Sequence, residues 1–146
     1  MVKLVIFDLD GVLIDSKEYH FEAFNRALGE EYKLSREEHI NDYDGLPTSE
    51  KLKLLAERKG LPTSRFSQIW EEKQKQTTNI FKESISKDFE LVNFFQELIG
   101  EGYKIAVASN SVRNTVKIVL LKLGILEYVD IFVSNEDIMR NKPYPE

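Results

Sequence analysis

Four apolar residues near the start, Leu4-Val5-Ile6-Phe7, lead into Asp8 and Asp10 and stop at Gly11. A short unbroken apolar run suits a central parallel strand buried on both faces. The period then changes. Tyr19, Ala23, Phe24, Ala27 and Leu28 recur at helical spacing, predicting a helix of roughly four turns that Gly29 ends. Asp15 and Glu18 stand at capping-box spacing ahead of it. The polar stretch that follows predicts a short helix from Ser35, and Asp44-Gly45-Leu46-Pro47 reads as a turn. Thr48 is placed to cap a helix carrying Leu52, Leu54, Leu55 and Ala56, closed by Gly60-Leu61-Pro62. A long helix is expected from Ser64 to Glu83, with Phe66, Ile69, Trp70, Ile80 and Phe81 on its apolar side. Its polar middle, Glu71 to Asn79, is expected to face solvent, while Trp70 and the phenylalanines are expected in the core.

From Phe89 the pattern alternates between helix and strand. Leu91, Val92, Phe94, Phe95, Leu98 and Ile99 form a broad helical stripe ending at Gly100 and Gly102. Residues 104–109 read as a second buried strand, and Asn110-Ser111 as the opening of a helix carrying Val112, Val116, Val119, Leu120 and Leu123. Residues 130–134 predict a third strand, with a brief helical segment after it. Strands separated by helices predict a parallel sheet with crossover connections. The block from 16 to 85 contains no strand pattern. The expected architecture is therefore an α/β core formed by residues 1–15 and 86–146, with residues 16–85 inserted as an all-helical domain.

Composition narrows the function. A net charge of −5, from 20 basic and 25 acidic residues, disfavours nucleic acid as a partner. No stretch approaches the roughly 20 apolar residues a membrane span needs, and no leader pattern precedes the first strand, so a cytoplasmic location is expected. The absence of cysteine excludes a disulfide framework and thiolate metal sites, and two histidines make a zinc enzyme unexpected.

The chemistry gathers at the strand ends. Residues i and i+2 of a strand point the same way, so Asp8 and Asp10 are expected to emerge together in the usual ligand crevice of an α/β sheet. Gly11 lets the chain turn sharply there. Ser109 ends the second strand, and Lys142 stands on a backbone stiffened by Pro143. Two carboxylates suit a hard cation, while a hydroxyl, amides and an ammonium suit a phosphoryl group.

Phe7-Asp8-Leu9-Asp10-Gly11-Val12-Leu13-Ile14-Asp15-Ser16 resembles, almost residue for residue, the first motif of the haloacid dehalogenase-like hydrolase superfamily in its helical-cap phosphatase and phosphomutase branch. Ala108-Ser109-Asn110-Ser111 is similar to the second motif and Asn141-Lys142-Pro143-Tyr144-Pro145-Glu146 to the third. The resemblance implies a Rossmann-like three-layer core, incomplete here, with an inserted helical cap. It implies Mg²⁺ held by the Asp8 carboxylate and the Asp10 carbonyl, an aspartyl-phosphate on Asp8, and Asp10 as general acid and then base. Ser109 and Lys142 would hold the transferring phosphoryl group, with Gly11, Asn110, His20 and Thr48 as further substrate or phosphate contacts. Asp15 is expected to be a helix cap rather than a catalytic group.

Family members continue into another strand ending in acidic residues that complete the Mg²⁺ site. The expectation is therefore a truncated chain whose first strand is an exposed edge, a monomer or an edge-paired dimer, weak or inactive as it stands. The activity implied is a phosphatase for a small phosphorylated metabolite. A sugar phosphomutase of the β-phosphoglucomutase type is the alternative, although Ser49 stands where that enzyme usually has a basic residue. A catalytically inactive phosphate-binding module is the alternative outside enzymes.

Overall fold

The computed structural model describes residues 3–145. Three strands, β1 (Lys3–Phe7), β2 (Tyr103–Ala108) and β3 (Ile131–Val133), form one parallel sheet in the order β1-β2-β3. Lys3 lies opposite Tyr103 and Phe7 opposite Val107, while Ala106 lies opposite Ile131. Parallel neighbours need crossover connections. Those leading into and out of β2 include α5 (Phe89–Gly100) and α6 (Arg113–Leu123). Asp88 caps α5 by accepting a bond from the Leu91 amide, 2.9 Å.

The chain divides into two compact units, one made of the residues up to Lys17 and from Phe81 onward, the other of Glu18–Ile80. In the first unit Ile105 and Val107 of β2 are fully buried, as are Phe95 of α5 and Val116, Val119 and Leu120 of α6. Phe7 stacks on Phe95 at 5.1 Å and meets Phe94 edge-on at 6.3 Å. The other side of β1 is open, because Leu4 is 54% and Ile6 62% exposed. Ile6, Ala106 and Ile131 form a row across the sheet, and Ile131 is 60% exposed. The first strand is thus an edge strand covered on one face. The apolar run suggested a strand buried on both faces, but such a run reports hydrophobicity and not which sides are covered.

The helical unit holds α1 (Lys17–Leu28, from its second residue), α2 (Arg36–Glu38), α3 (Thr48–Lys59) and the first fifteen residues of α4 (Phe66–Ser84). Its core joins Phe24, Leu28, Leu34, Tyr43, Leu52, Leu55 and Ile69. The Asn25 side chain fixes the return after α1, donating to the Leu34 carbonyl and accepting from its amide, both at 2.9 Å. Ser35 and Glu38 form a reciprocal capping box, and α2 runs on into a π-helical turn at His39–Tyr43. Among the described residues no strand interrupts this unit. No helix among them is long and apolar enough to cross a membrane.

Several local expectations are corrected. α1 begins at Lys17, so Ser16 and not Asp15 precedes its first residue. Pro47 holds the N-cap of α3 with Thr48 as the first helical residue, because proline's fixed φ starts a helix without a side-chain bond. Trp70 is 42% exposed, and Phe89 and Phe94 also face outward. Thr77, in the polar middle of α4, is fully buried, its hydroxyl satisfied by the Lys73 carbonyl at 2.8 Å. α6 starts at Arg113, leaving Asn110 and Ser111 in the loop before it, and turns replace the helical segment expected after β3.

Candidate active site

The site is built where β1 and β2 end. After Phe7 the chain coils back within a few residues: the Leu13 and Ile14 amides both donate to the Leu9 carbonyl, and Gly11 N–H donates to the Ile14 carbonyl at 2.7 Å. Leu9 is fully buried and pins this loop from inside. Gly11 has φ +79, the left-handed region that favours glycine. Its amide bond to Ile14 closes the turn.

Asp8 is exposed at the strand end, and its Oδ1 accepts from the Leu9 amide at 2.8 Å and from Lys142 Nζ at 2.6 Å. Lys142 comes from 134 residues away. Its ammonium also donates to the Ala108 carbonyl at 2.9 Å, so it bridges the ends of β1 and β2. Asp10, half-buried, is oriented by two hydroxyls. Ser16 Oγ donates to its Oδ1 at 2.5 Å and Ser111 Oγ to its Oδ2 at 3.1 Å.

Ser109 is buried just past β2, its amide bonded to the Val133 carbonyl at 2.9 Å. Its Oγ accepts from the Ser111 amide at 3.0 Å, which leaves the hydroxyl proton to donate. The Asn110 side chain is turned to the backbone of Lys142. Its Oδ1 accepts from the Lys142 amide at 2.9 Å and its Nδ2 donates to the Lys142 carbonyl at 3.4 Å, so it clamps the backbone that carries the ammonium. The loop leading to Lys142 is held in turn by Asp137. That carboxylate accepts from the Ser134 amide and hydroxyl, at 2.8 and 2.7 Å, and pairs with Arg113. These hydrogen bonds, the Ser134 amide foremost, hold its pKa below the usual carboxylate value.

Asp8, Asp10, Gly11, Ser109, Asn110 and Lys142 therefore lie in one unit, and the bonds above tie five of them, all but Gly11, into the network around the ends of β1 and β2. His20, on α1, and Thr48, on α3, belong to the helical unit. Sequence reasoning missed Ser16 and Ser111 as partners of Asp10. Ser111 carried a signal, standing two residues after Ser109 in the loop. Ser16 carried none, because its bond depends on how the turn at Gly11 folds back. The helical unit also has a groove of about 530 Å³ beside α1, lined by Tyr19, Phe21, Arg26, Lys33 and Arg36 among others. Its charges are paired internally, Arg26 with Glu22, Lys33 with Glu30 and Arg36 with Glu18.

The oxygen-only donors at Asp8 and Asp10 are of the kind a hard divalent cation takes. Among the described residues no group of three or more His, Cys, Asp or Glu could hold a metal ion. Water and substrate oxygens would complete the shell of a cation bound here, as is usual for Mg²⁺.

A model of the haloacid dehalogenase-like hydrolase family matches residues 5–146. The chain belongs to this family. Among curated proteins it is similar to the phosphorylated carbohydrates phosphatase of Thermotoga maritima, 27% identical over 150 residues that cover 99% of this chain and 67% of that protein. It is also similar to the pyrophosphatase PpaX of Bacillus cereus, again 27% identical, over 99% of this chain and 65% of that one. The fold matches that of CbbY from Rhodobacter sphaeroides in complex with phosphate, with a TM-score of 0.81 at 21% identity, over 99% of this chain and 68% of the other. This member of the family thus spans about two thirds of the length of the relatives it matches.

Proposed function

We propose that the chain carries the phosphoryl-transfer site of a Mg²⁺-dependent phosphatase acting on a small phosphorylated metabolite. The observation that carries this reading is Lys142 Nζ at 2.6 Å from Asp8 Oδ1, with Asp10 and Ser109 fixed at the same strand ends. A carboxylate with an ammonium beside it can approach a phosphoryl dianion, because the cation offsets repulsion between the two anions. The relatives named as phosphatases support the reaction class.

Asp8 attacks phosphorus, and the bond from phosphorus to the ester oxygen breaks as the aspartyl-phosphate forms. Asp10 gives a proton to the departing alkoxide. It then takes one from the water that attacks the aspartyl-phosphate, so phosphate leaves and both carboxyl groups return to their starting states. Ser109 donates its hydroxyl proton to a phosphoryl oxygen, and Lys142 neutralises charge through both displacements. Asp8 and the Asp10 carbonyl would hold the Mg²⁺, which when bound neutralises phosphoryl charge as a Lewis acid. The helical unit, with His20 and Thr48, supplies substrate selection in this reading.

A panel of small phosphate esters and sugar phosphates, assayed with Mg²⁺ and with chelator, tests it. Phosphate release that chelator and Asp8→Asn both abolish is expected. Release that survives Asp8→Asn contradicts the mechanism, and isomerisation of a hexose phosphate with little hydrolysis selects the mutase.

A further inference from the structure

Asp10 is the group whose proton the reaction needs, and its two oxygens are not equivalent. Oδ1 accepts from Ser16 Oγ at 2.5 Å, and Ser16 is buried. Oδ2 accepts from Ser111 Oγ at 3.1 Å, from a half-buried residue on the loop after β2. The backbone of Ser111 is held at both ends: its amide donates to Ser109 Oγ at 3.0 Å and its carbonyl accepts from the Asn135 amide at 3.1 Å. A hydroxyl on so fixed a backbone can orient a carboxylate on the neighbouring strand end.

We propose that Ser16 and Ser111 are positioning residues that lock the Asp10 side chain in one rotamer, Ser16 from the turn after β1 and Ser111 from the loop after β2. The inference rests on the phosphatase reading for its chemical consequence but not for the clamp itself. Ser111 also bonds Ser109, so one residue sets both the hydroxyl that meets the phosphoryl group and the acid that meets the leaving group. With its side chain already held, Asp10 need not be ordered at the moment of reaction.

The clamp is tested first without turnover. Three-bond couplings from Asp10 Cγ to the backbone nitrogen and carbonyl carbon report its χ1 angle in the isotope-labelled chain. Wild type is expected to show the extreme values of a single rotamer, Ser111→Thr to keep them, and the Ser16→Ala/Ser111→Ala pair to move toward the rotamer average with the rest of the spectrum intact. Unchanged couplings in the double variant overturn the proposal. The chemical half is read from leaving groups. Ser111→Ala should lower kcat on an alkyl phosphate about tenfold more than on p-nitrophenyl phosphate, whose leaving group needs little protonation, as part of the 10²–10⁴ that general acids contribute. An equal fall on both substrates overturns the positioning of Asp10 by Ser111. No hydrolysis of any ester by the wild type would remove the phosphatase reading and leave the coupling measurement standing.

Discussion

At the residue scale, the site is a set of borrowed orientations. Lys142 reaches Asp8 because Asn110 holds the Lys142 backbone at both its amide and its carbonyl. Asn110→Ala should therefore lower kcat by about 10²-fold, toward the loss seen when a transition-state donor is displaced. Asn110→Asp should recover part of it, because the carboxylate still accepts from the Lys142 amide. Steady-state kinetics of the three proteins check this, and a change confined to KM would contradict it. A second residue pair, in the helical unit, sets a pH dependence. Lys51 Nζ lies 3.1 Å from His39 Nε2, with Phe21 edge-on to the ring at 4.8 Å. Burial first, and then the Lys51 charge, push the His39 pKa below its ordinary value, with Asp44 and Glu18 opposing and Arg36 adding to the shift. Burial also lowers the pKa of Lys51. A depressed imidazole pKa means that the unfolded chain binds the proton more tightly. Stability is then full above the ordinary histidine pKa and falls as pH drops through it toward the lower folded value. Denaturant unfolding between pH 7.5 and 5.0 should show this fall, with His39→Phe flattening the slope across roughly pH 5–7. An unchanged slope would contradict it.

At the element scale, the chain shows what periodicity can and cannot carry. Helices α1, α3, α5 and α6 stand where their apolar residues recur, because each needs one buried stripe and the stripe has a fixed period. The helix start at Ser35 was legible from its side chain, while the starts of α1 and α3 were each displaced by a residue, from Asp15 to Ser16 and from Thr48 to Pro47. The misread elements share a cause. Trp70 and Thr77 lie on one helix with their burial reversed from what polarity suggests, since burial depends on which neighbour the helix meets and not on the residue alone. β1 makes the same point for strands. Its composition is that of a buried strand, yet only the face carrying Phe7 packs, against Phe94 and Phe95. That Asp8, Asp10 and Ser109 would stand just past the ends of their strands was legible, because each follows an apolar strand run directly, and Lys142 is found bonded to Asp8 and to the end of β2. The bonds of Ser16, Ser111 and Asn110 were not, since they arise only when distant loops meet.

At the scale of the whole molecule, the described sheet has an unpaired edge at β1 and an apolar row, Ile6 and Ile131, open on one face. Such an edge is a template for pairing with another chain. Self-association that rises with concentration is expected in sedimentation measurements, and Ile6→Lys should reduce it by placing a charge in the exposed row. A wild type that stays monomeric throughout would contradict this. The two units carry separate parts of the proposed function, with chemistry in the unit that holds the sheet and selection in the helical one. The central claim is that Asp8 is the nucleophile. It is tested most directly by quenching the protein during turnover, reducing with borohydride, and mapping the modified residue by mass spectrometry. An acyl phosphate at Asp8 is predicted to appear as homoserine at position 8, only when substrate and Mg²⁺ are both present. Turnover with no modification at Asp8, or with modification at another carboxylate, would contradict the mechanism.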